Sequence, residues 1–277
     1  MNNRCADRDS SSGDALALSP DADPAPVEDN GRAGANVRTP SQDDLSSWEL
    51  IAPPSFTATS GGSGVAINNK GLFLTNHHVI DNCKNVAIEY NGQLGKGRVV
   101  RFDQKLDVAL VRVNASTPFF SSFDASPAQA GETLIAIGYP VSVLFGRSPT
   151  VSEGKLTNAS DEQSYVNKGG FLLTSIPIAS GNSGGPVYTR TGALRGIVSY
   201  TVRQENIEEI FRELGYDEGP LLSNNTTFNF IVSGPKIIKW LEYTKFKFSQ
   251  TESKKLLDSE VVSKLGIKAL ADVICYK

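Results

Sequence analysis

From Trp48 onward, short runs of apolar, β-branched and aromatic residues alternate with turn formers. Gly64-Val-Ala-Ile67, Leu72-Phe-Leu-Thr75, Val86-Ala-Ile-Glu-Tyr90, Val108-Ala-Leu-Val-Arg-Val113 and Thr133-Leu-Ile-Ala-Ile137 have the length and residue types of strands that pack on a pleated surface. Phe171-Leu-Leu173, Gly185-Pro-Val-Tyr188, Leu194-Arg-Gly-Ile-Val-Ser-Tyr200 and Phe228-Asn-Phe-Ile-Val232 continue the series. Asn91-Gly92 supplies the residue types that a type I′ hairpin needs at its two positive-φ positions, and Asn69-Lys-Gly71 predicts a looser turn. Many short strands with little helix between them predict an all-β sandwich or a pair of barrels.

Helical periodicity is confined to three places. Asn206 can cap a helix with Ile207, Ile210, Phe211 and Leu214 on one face and Gly215 as its stop. A second helix starts with Pro235 in its first turn and turns Ile237, Ile238 and Leu241 inward. A last amphipathic stretch, about 252–270, has no evident partner in the pattern.

Residues 1–47 break with all of this. They contain no aromatic residue, are rich in Asp, Ser, Pro, Ala and Gly, and carry nine acidic residues against four basic ones. Such a segment cannot bury enough apolar surface to offset the entropy of ordering it, which predicts a disordered acidic tail.

Composition narrows the function classes more than it selects one. The 277 residues are 39% hydrophobic and 21% charged, ordinary for a folded soluble domain. A formal net charge of −3 gives no electrostatic footprint for nucleic acid or an anionic membrane surface. No stretch reaches the roughly 18 apolar residues of a membrane span, and Ala15-Leu-Ala-Leu18 is too short for the apolar region of a secretory signal. The expectation is a cytoplasmic chain. Cys5, Cys83 and Cys275 are few and odd in number, which does not read as a disulfide framework and predicts folding that does not depend on oxidation.

Three segments carry chemistry. In Gly181-Asn-Ser-Gly-Gly-Pro186, glycines flank a serine, as acyl transfer needs for a nucleophile on a tight turn with backbone N–H groups close by. Leu74-Thr-Asn-His-His-Val79 holds both histidines of the chain, and a histidine is the side chain suited to take a serine proton near neutral pH. Leu106-Asp-Val-Ala-Leu110 sets a carboxylate in an apolar run, where it needs a strand-end role or a specific cationic partner.

Together these segments resemble the chymotrypsin-like serine proteases, and most closely their HtrA-type branch. "TNHHV", "LDVALVRV", "AIGYP", "ASGNSGGPV" and "GIVSY" stand in that family's order over about residues 55–245. The resemblance implies two packed antiparallel β-barrels with a C-terminal helix. Its divisions would be a disordered tail over 1–47, an N-terminal barrel over 48–125, a C-terminal barrel and closing helix over 126–247, and a helical tail over 248–277. It implies serine endopeptidase activity on protein or peptide substrates, with no metal or cofactor. His78 would be the base, Asp107 its orienting carboxylate and Ser183 the nucleophile. The N–H groups of Gly181 and Ser183 would form the oxyanion hole. Ser199, Tyr200 and Thr201 would line a substrate-binding strand, with Pro177 at the specificity pocket. A catalytically silent module that binds extended peptides is the competing expectation.

Departures from the family pattern carry information too. Asn182 stands where trypsin-like zymogens have the Asp that receives a newly cut N-terminus, so activation by a terminal ion pair is not expected. Pro177 stands where trypsin-like enzymes have an Asp, which disfavours cleavage after Lys or Arg and leaves a small or medium apolar P1 residue as the default. HtrA-type enzymes usually continue into a PDZ domain; the short remainder after the Pro235 helix predicts none.

Overall fold

The computed structural model describes residues 58–140, 148–157, 170–203 and 227–277. The acidic tail expected over 1–47, the helix expected from Asn206 and the chain from 48 to 57 lie outside the described residues.

A closed six-stranded barrel comes first. Its strands are β1 (Ala58–Ala66), β2 (Leu72–Thr75), β3 (Asn85–Tyr90), β4 (Gln93–Asp103) and β5 (Val108–Arg112), and its sixth strand comes from the far end of the chain. Leu72–Thr75 forms a strand as the pattern predicts, wholly buried along its length. Asn91 and Gly92 both have positive φ, 50° and 75°, as a type I′ turn requires, and they set the β3–β4 register that pairs Tyr90 with Gln93. Gly71, at φ 71°, closes the β1–β2 turn where a Cβ would lie 2.1 Å from the Val113 carbonyl oxygen.

The second unit is a curved sheet. Its strands are β6 (Phe123–Asp124), β7 (Thr133–Gly138), β8 (Thr150–Lys155), β9 (Phe171–Thr174), β10 (Pro186–Thr189), β11 (Leu194–Arg203), β12 (Thr227–Ser233) and β13 (Gln250–Thr251). β7, β10, β11 and β12 follow one another in antiparallel order, with β8 outside β7 and β9 outside β12. A bridge between Leu156 and Thr174 brings the two flanks together into a half-barrel. Helix α2 (Gly234–Glu242), with Pro235 in its first turn, places Ile237 and Leu241 fully in the core. One continuous apolar cluster runs from Val65, Leu74 and Leu110 of the first barrel to Ile137, Ile197 and Val232 of the second sheet. That shared core fixes the two halves face to face, as the two-barrel expectation requires. Behind β11, the buried Arg195 donates to Asp124 and Glu132 at 3.0 and 3.1 Å and to the Ser126 carbonyl at 2.7 Å, so the buried cation is paired and hydrogen-bonded.

The far end of the chain departs from the periodic reading. The tail expected to be helical over 248–277 is a helix only in part: α3 (Ser259–Ala269) is followed directly by β14 (Leu270–Tyr276). β14 runs antiparallel between β1 and β3 and closes the first barrel, with all seven residues buried. The amphipathic stretch that lacked a partner packs, as α3, on β7 and β10, where a Cβ at Gly266 would meet Ile137 and Tyr188, and the strand that follows it finds its partners at the opposite end of the sequence. Strand pairing over such a distance leaves no local signal.

Cysteine usage differs as well. Cys83 and Cys275 form a disulfide with a Cα–Cα separation of 5.4 Å, tying β14 to the segment that precedes β3, across 192 residues of chain. The two cysteines that looked unrelated in sequence become neighbours because β14 pairs with β3. A native disulfide of this kind adds about 2–4 kcal/mol by restricting the unfolded chain. Cys83→Ala, or reductant on the wild type, should lower Tm by roughly 5–10 °C in a thermal melt. An unchanged melt would show that the strand pairing alone carries the closure.

Candidate active site

β2 runs straight into a short helical turn, α1 (His77–Ile80). Both histidines sit on this turn. They diverge: His77 packs against the Phe102 ring with centroids 4.9 Å apart, while His78 reaches Asp107. Val79 and Ile80 anchor the turn in the core.

Asp107 receives His78 at the start of β5. Its φ of 56° puts it in the left-handed region, which Asp tolerates better than most residues, and the bend turns its side chain toward His78. His78 Nδ1 lies 2.9 Å from Oδ2 and 3.0 Å from Oδ1, and the His78 backbone N–H donates to Oδ1 at 3.1 Å. The Ser199 hydroxyl donates to Oδ2 at 2.9 Å. Asn76, fully buried, holds the bend from behind by donating its side-chain amide to the Asp107 carbonyl at 2.8 Å. The carboxylate is thus mostly shielded, with its side chain 16% exposed against 48% for His78. Because Asp107 only accepts, the Nδ1 contact fixes the proton on Nδ1 and leaves Nε2 as the accepting nitrogen.

Ser183 is held on the loop before β10. Gly184 follows at φ 84°, where a Cβ would lie 2.1 Å from the Ser63 carbonyl oxygen, so only glycine fits beneath the turn. The Ser183 hydroxyl donates to the Ser199 carbonyl at 3.0 Å, and among the described residues it makes no hydrogen bond to His78. Just before it, the Asn182 N–H donates to the Ala179 carbonyl at 3.1 Å with Gly181 at φ 93°. A hydrogen-bonded turn with a left-handed third residue is type II. The N–H groups of Gly181 and Ser183 donate to no protein acceptor among the described residues. Asn182 is 4% exposed, and its Oδ1 has no hydrogen-bond partner among the described residues.

The residues expected to bind substrate fall into two groups. Ser199, Tyr200 and Thr201 lie on β11 at a bulge: Val198 pairs with Ile231 and Thr201 with Asn229, leaving Ser199 and Tyr200 opposite one residue. Bulges re-aim a strand beside an active site, and this one aims Ser199 at both Asp107 and Ser183. Tyr200 packs between Phe171 and Phe230, at centroid distances of 5.2 and 5.0 Å. Burial, and secondarily the charge of Asp107, raise its hydroxyl pKa. Thr201 donates to the Asn229 side-chain oxygen at 2.8 Å. Pro177 stands apart from these, exposed on the segment between β9 and the turn. Sequence reasoning missed Asn76, the Ser199–Asp107 contact and Ser63, described below. No group of three metal-ligating side chains occurs among the described residues, and no described helix is long and apolar enough to cross a membrane.

Residues 62–197 match the model of the trypsin-like peptidase domain. A probable periplasmic serine endoprotease DegP-like of Chlamydia trachomatis is 31% identical over 139 residues, covering 49% of this chain and 27% of its own. The chain spans about a quarter of the length of the curated relatives it matches. Among solved structures, a serine endoprotease from Yersinia pestis aligns with a TM-score of 0.51 at 24% identity, over 66% of this chain and 56% of that one. The HtrA-type protease AlgW with a decapeptide aligns with a TM-score of 0.52 at 21% identity, over 65% and 50% of the two chains. Residues 62–197 are thus similar to the trypsin-like peptidase domain, and serine proteases of the HtrA and DegP type are among the chain's relatives.

Proposed function

We propose that this chain is a serine endopeptidase that cuts protein or peptide substrates through an acyl-enzyme. The observation that carries the reading is the meeting of Asp107, His78 and Ser199 beside a turn whose Gly181 and Ser183 N–H groups are unengaged. His78 Nε2 takes the Ser183 proton as Oγ attacks the scissile carbonyl, and Asp107 stabilises the resulting imidazolium. The two N–H groups receive the oxyanion. Collapse of the tetrahedral intermediate expels the amine, which takes the proton back from His78, and water then repeats the sequence to release the acid. These steps need side chains and backbone only. An extended substrate adds beside Ser199 and Tyr200, where the bulge leaves the strand out of register with β12. Pro177 offers no charge to a basic side chain, so a small or medium apolar P1 is the expected specificity.

One observation favours the silent, peptide-binding reading: the Ser183 hydroxyl rests on the Ser199 carbonyl. Turnover requires the hydroxyl to leave that carbonyl and face His78, and catalytic contacts commonly tighten only with substrate bound. A fluorophosphonate probe separates the two readings. An endopeptidase is labelled at Ser183 and cleaves a peptide library with apolar residues at P1; a protein that binds peptides but is never labelled is the silent module.

A further inference from the structure

We infer that Ser63 is a positioning residue that clamps the oxyanion turn, an inference that rests on the endopeptidase reading above. Ser63 lies in β1, in the opposite barrel from the turn, and is fully buried. Its backbone N–H donates to the Ser183 carbonyl at 2.8 Å, and its own carbonyl accepts the Thr75 hydroxyl at 2.7 Å. Its hydroxyl donates to the Gly181 carbonyl at 2.9 Å and accepts the Tyr139 N–H at 2.8 Å. A carbonyl can only accept and a backbone N–H can only donate, so the direction of both bonds is fixed. One hydroxyl therefore joins β1 to the end of β7 and to the turn that carries the nucleophile.

The peptide it grips lies between the two that carry the oxyanion donors, Ser180–Gly181 and Asn182–Ser183. The Gly181–Asn182 peptide is held at both ends, its carbonyl by Ser63 and its N–H by Ala179. With that peptide fixed, the preceding N–H of Gly181 keeps its orientation and makes no internal bond. Remove the Ser63 hydroxyl and the Gly181 carbonyl loses its side-chain donor, which favours rotation of the turn toward another donor. As the turn moves, it displaces the peptides on either side, and with them the N–H groups of Gly181 and Ser183. The glycines packed around Ser63 fit the same reading: a Cβ at Gly138 would lie 3.0 Å from its hydroxyl oxygen, and one at Gly185 3.2 Å from its Cβ.

A clamp on the oxyanion turn acts on the transition state and leaves ground-state binding alone. Removing an oxyanion donor outright costs about 10²–10³ in kcat, so releasing the clamp should cost about 10–100-fold. The test compares the wild type with Ser63→Ala and Ser63→Cys on an apolar-P1 peptide anilide and a matching peptide boronic acid. Ser63→Ala should lose kcat and boronate affinity by the same factor while KM stays within about twofold; Ser63→Cys, which keeps a weak donor, should fall between. If the alanine variant does not fold, the cysteine variant carries the measurement. A wild-type kcat in the substituted enzyme, or a loss confined to KM, overturns the inference while the endopeptidase reading stands. A wild type that neither cleaves the anilide nor reacts with the fluorophosphonate overturns both.

Discussion

Ser183→Ala should lower kcat by about 10⁶-fold and abolish fluorophosphonate labelling while leaving the melting curve near that of the wild type. The loss is large because nucleophile and base act as one unit: without Oγ, the His78–Asp107 pair has no proton to take. The fold survives because the turn does not depend on that hydroxyl. Ser183 is held through its carbonyl, which accepts the Ser63 N–H, and Gly184 donates from beneath to the Val198 carbonyl. The side chain contributes one hydrogen bond, to the Ser199 carbonyl, which solvent can replace. Steady-state cleavage of a peptide substrate and a thermal melt check both halves. Cleavage at the wild-type rate would take Ser183 out of the chemistry.

Much of the molecule was legible because its signals are local. Short apolar and β-branched runs bounded by turn formers gave β2, β3, β5 and β7 to within a residue at each end, and Asn91-Gly92 gave the turn after β3. β4 escaped because Gln93–Asp103 mixes Gly, Lys and Arg into a mostly half-buried strand with no clear apolar face. β8 escaped for a related reason, since only alternate residues of Thr150–Lys155 are even partly shielded. β14 reads as the end of an amphipathic helix because the partners that bury it, β1 and β3, lie nearly two hundred residues earlier.

The same division holds within the site. The sequence motifs name His78, Asp107 and Ser183, since each sits in a short distinctive segment. The residues that hold them are ordinary in type and distant in sequence. Asn76 looks like a neighbour of the histidines, and nothing local says that its amide reaches Asp107. Ser63 lies in a Gly/Ser-rich run just before the strand read from Gly64, yet it is part of β1 and grips Gly181 from 118 residues away. Ser199 was placed on the substrate strand for its backbone; its hydroxyl also contacts Asp107, which a strand pattern cannot convey.

Asp107→Asn should keep the fold and reduce kcat by about 10⁴-fold near neutral pH. Asn tolerates the left-handed φ of 56° as well as Asp does, and the backbone carbonyl still accepts the Asn76 amide, so the bend before β5 persists. What changes is the number of acceptors. The carboxylate now accepts from three donors: the His78 backbone N–H, His78 Nδ1–H and the Ser199 hydroxyl. An amide offers one accepting oxygen, and the His78 backbone N–H and the fixed side chain favour keeping it on the Oδ1 side. Its NH₂ then faces Nδ1 and Ser199. The Ser199 hydroxyl can rotate to accept, but Nδ1 must give up its proton to avoid two opposed donors. The proton moves to Nε2, the nitrogen that has to take the Ser183 proton, and the base is occupied before the reaction begins. KM should change little, because no substrate-binding group is touched, so the loss belongs to kcat. Unchanged turnover at pH 7 with the fold intact would show that Asp107 positions His78 only through the backbone N–H contact, and that the imidazole keeps its working tautomer without it.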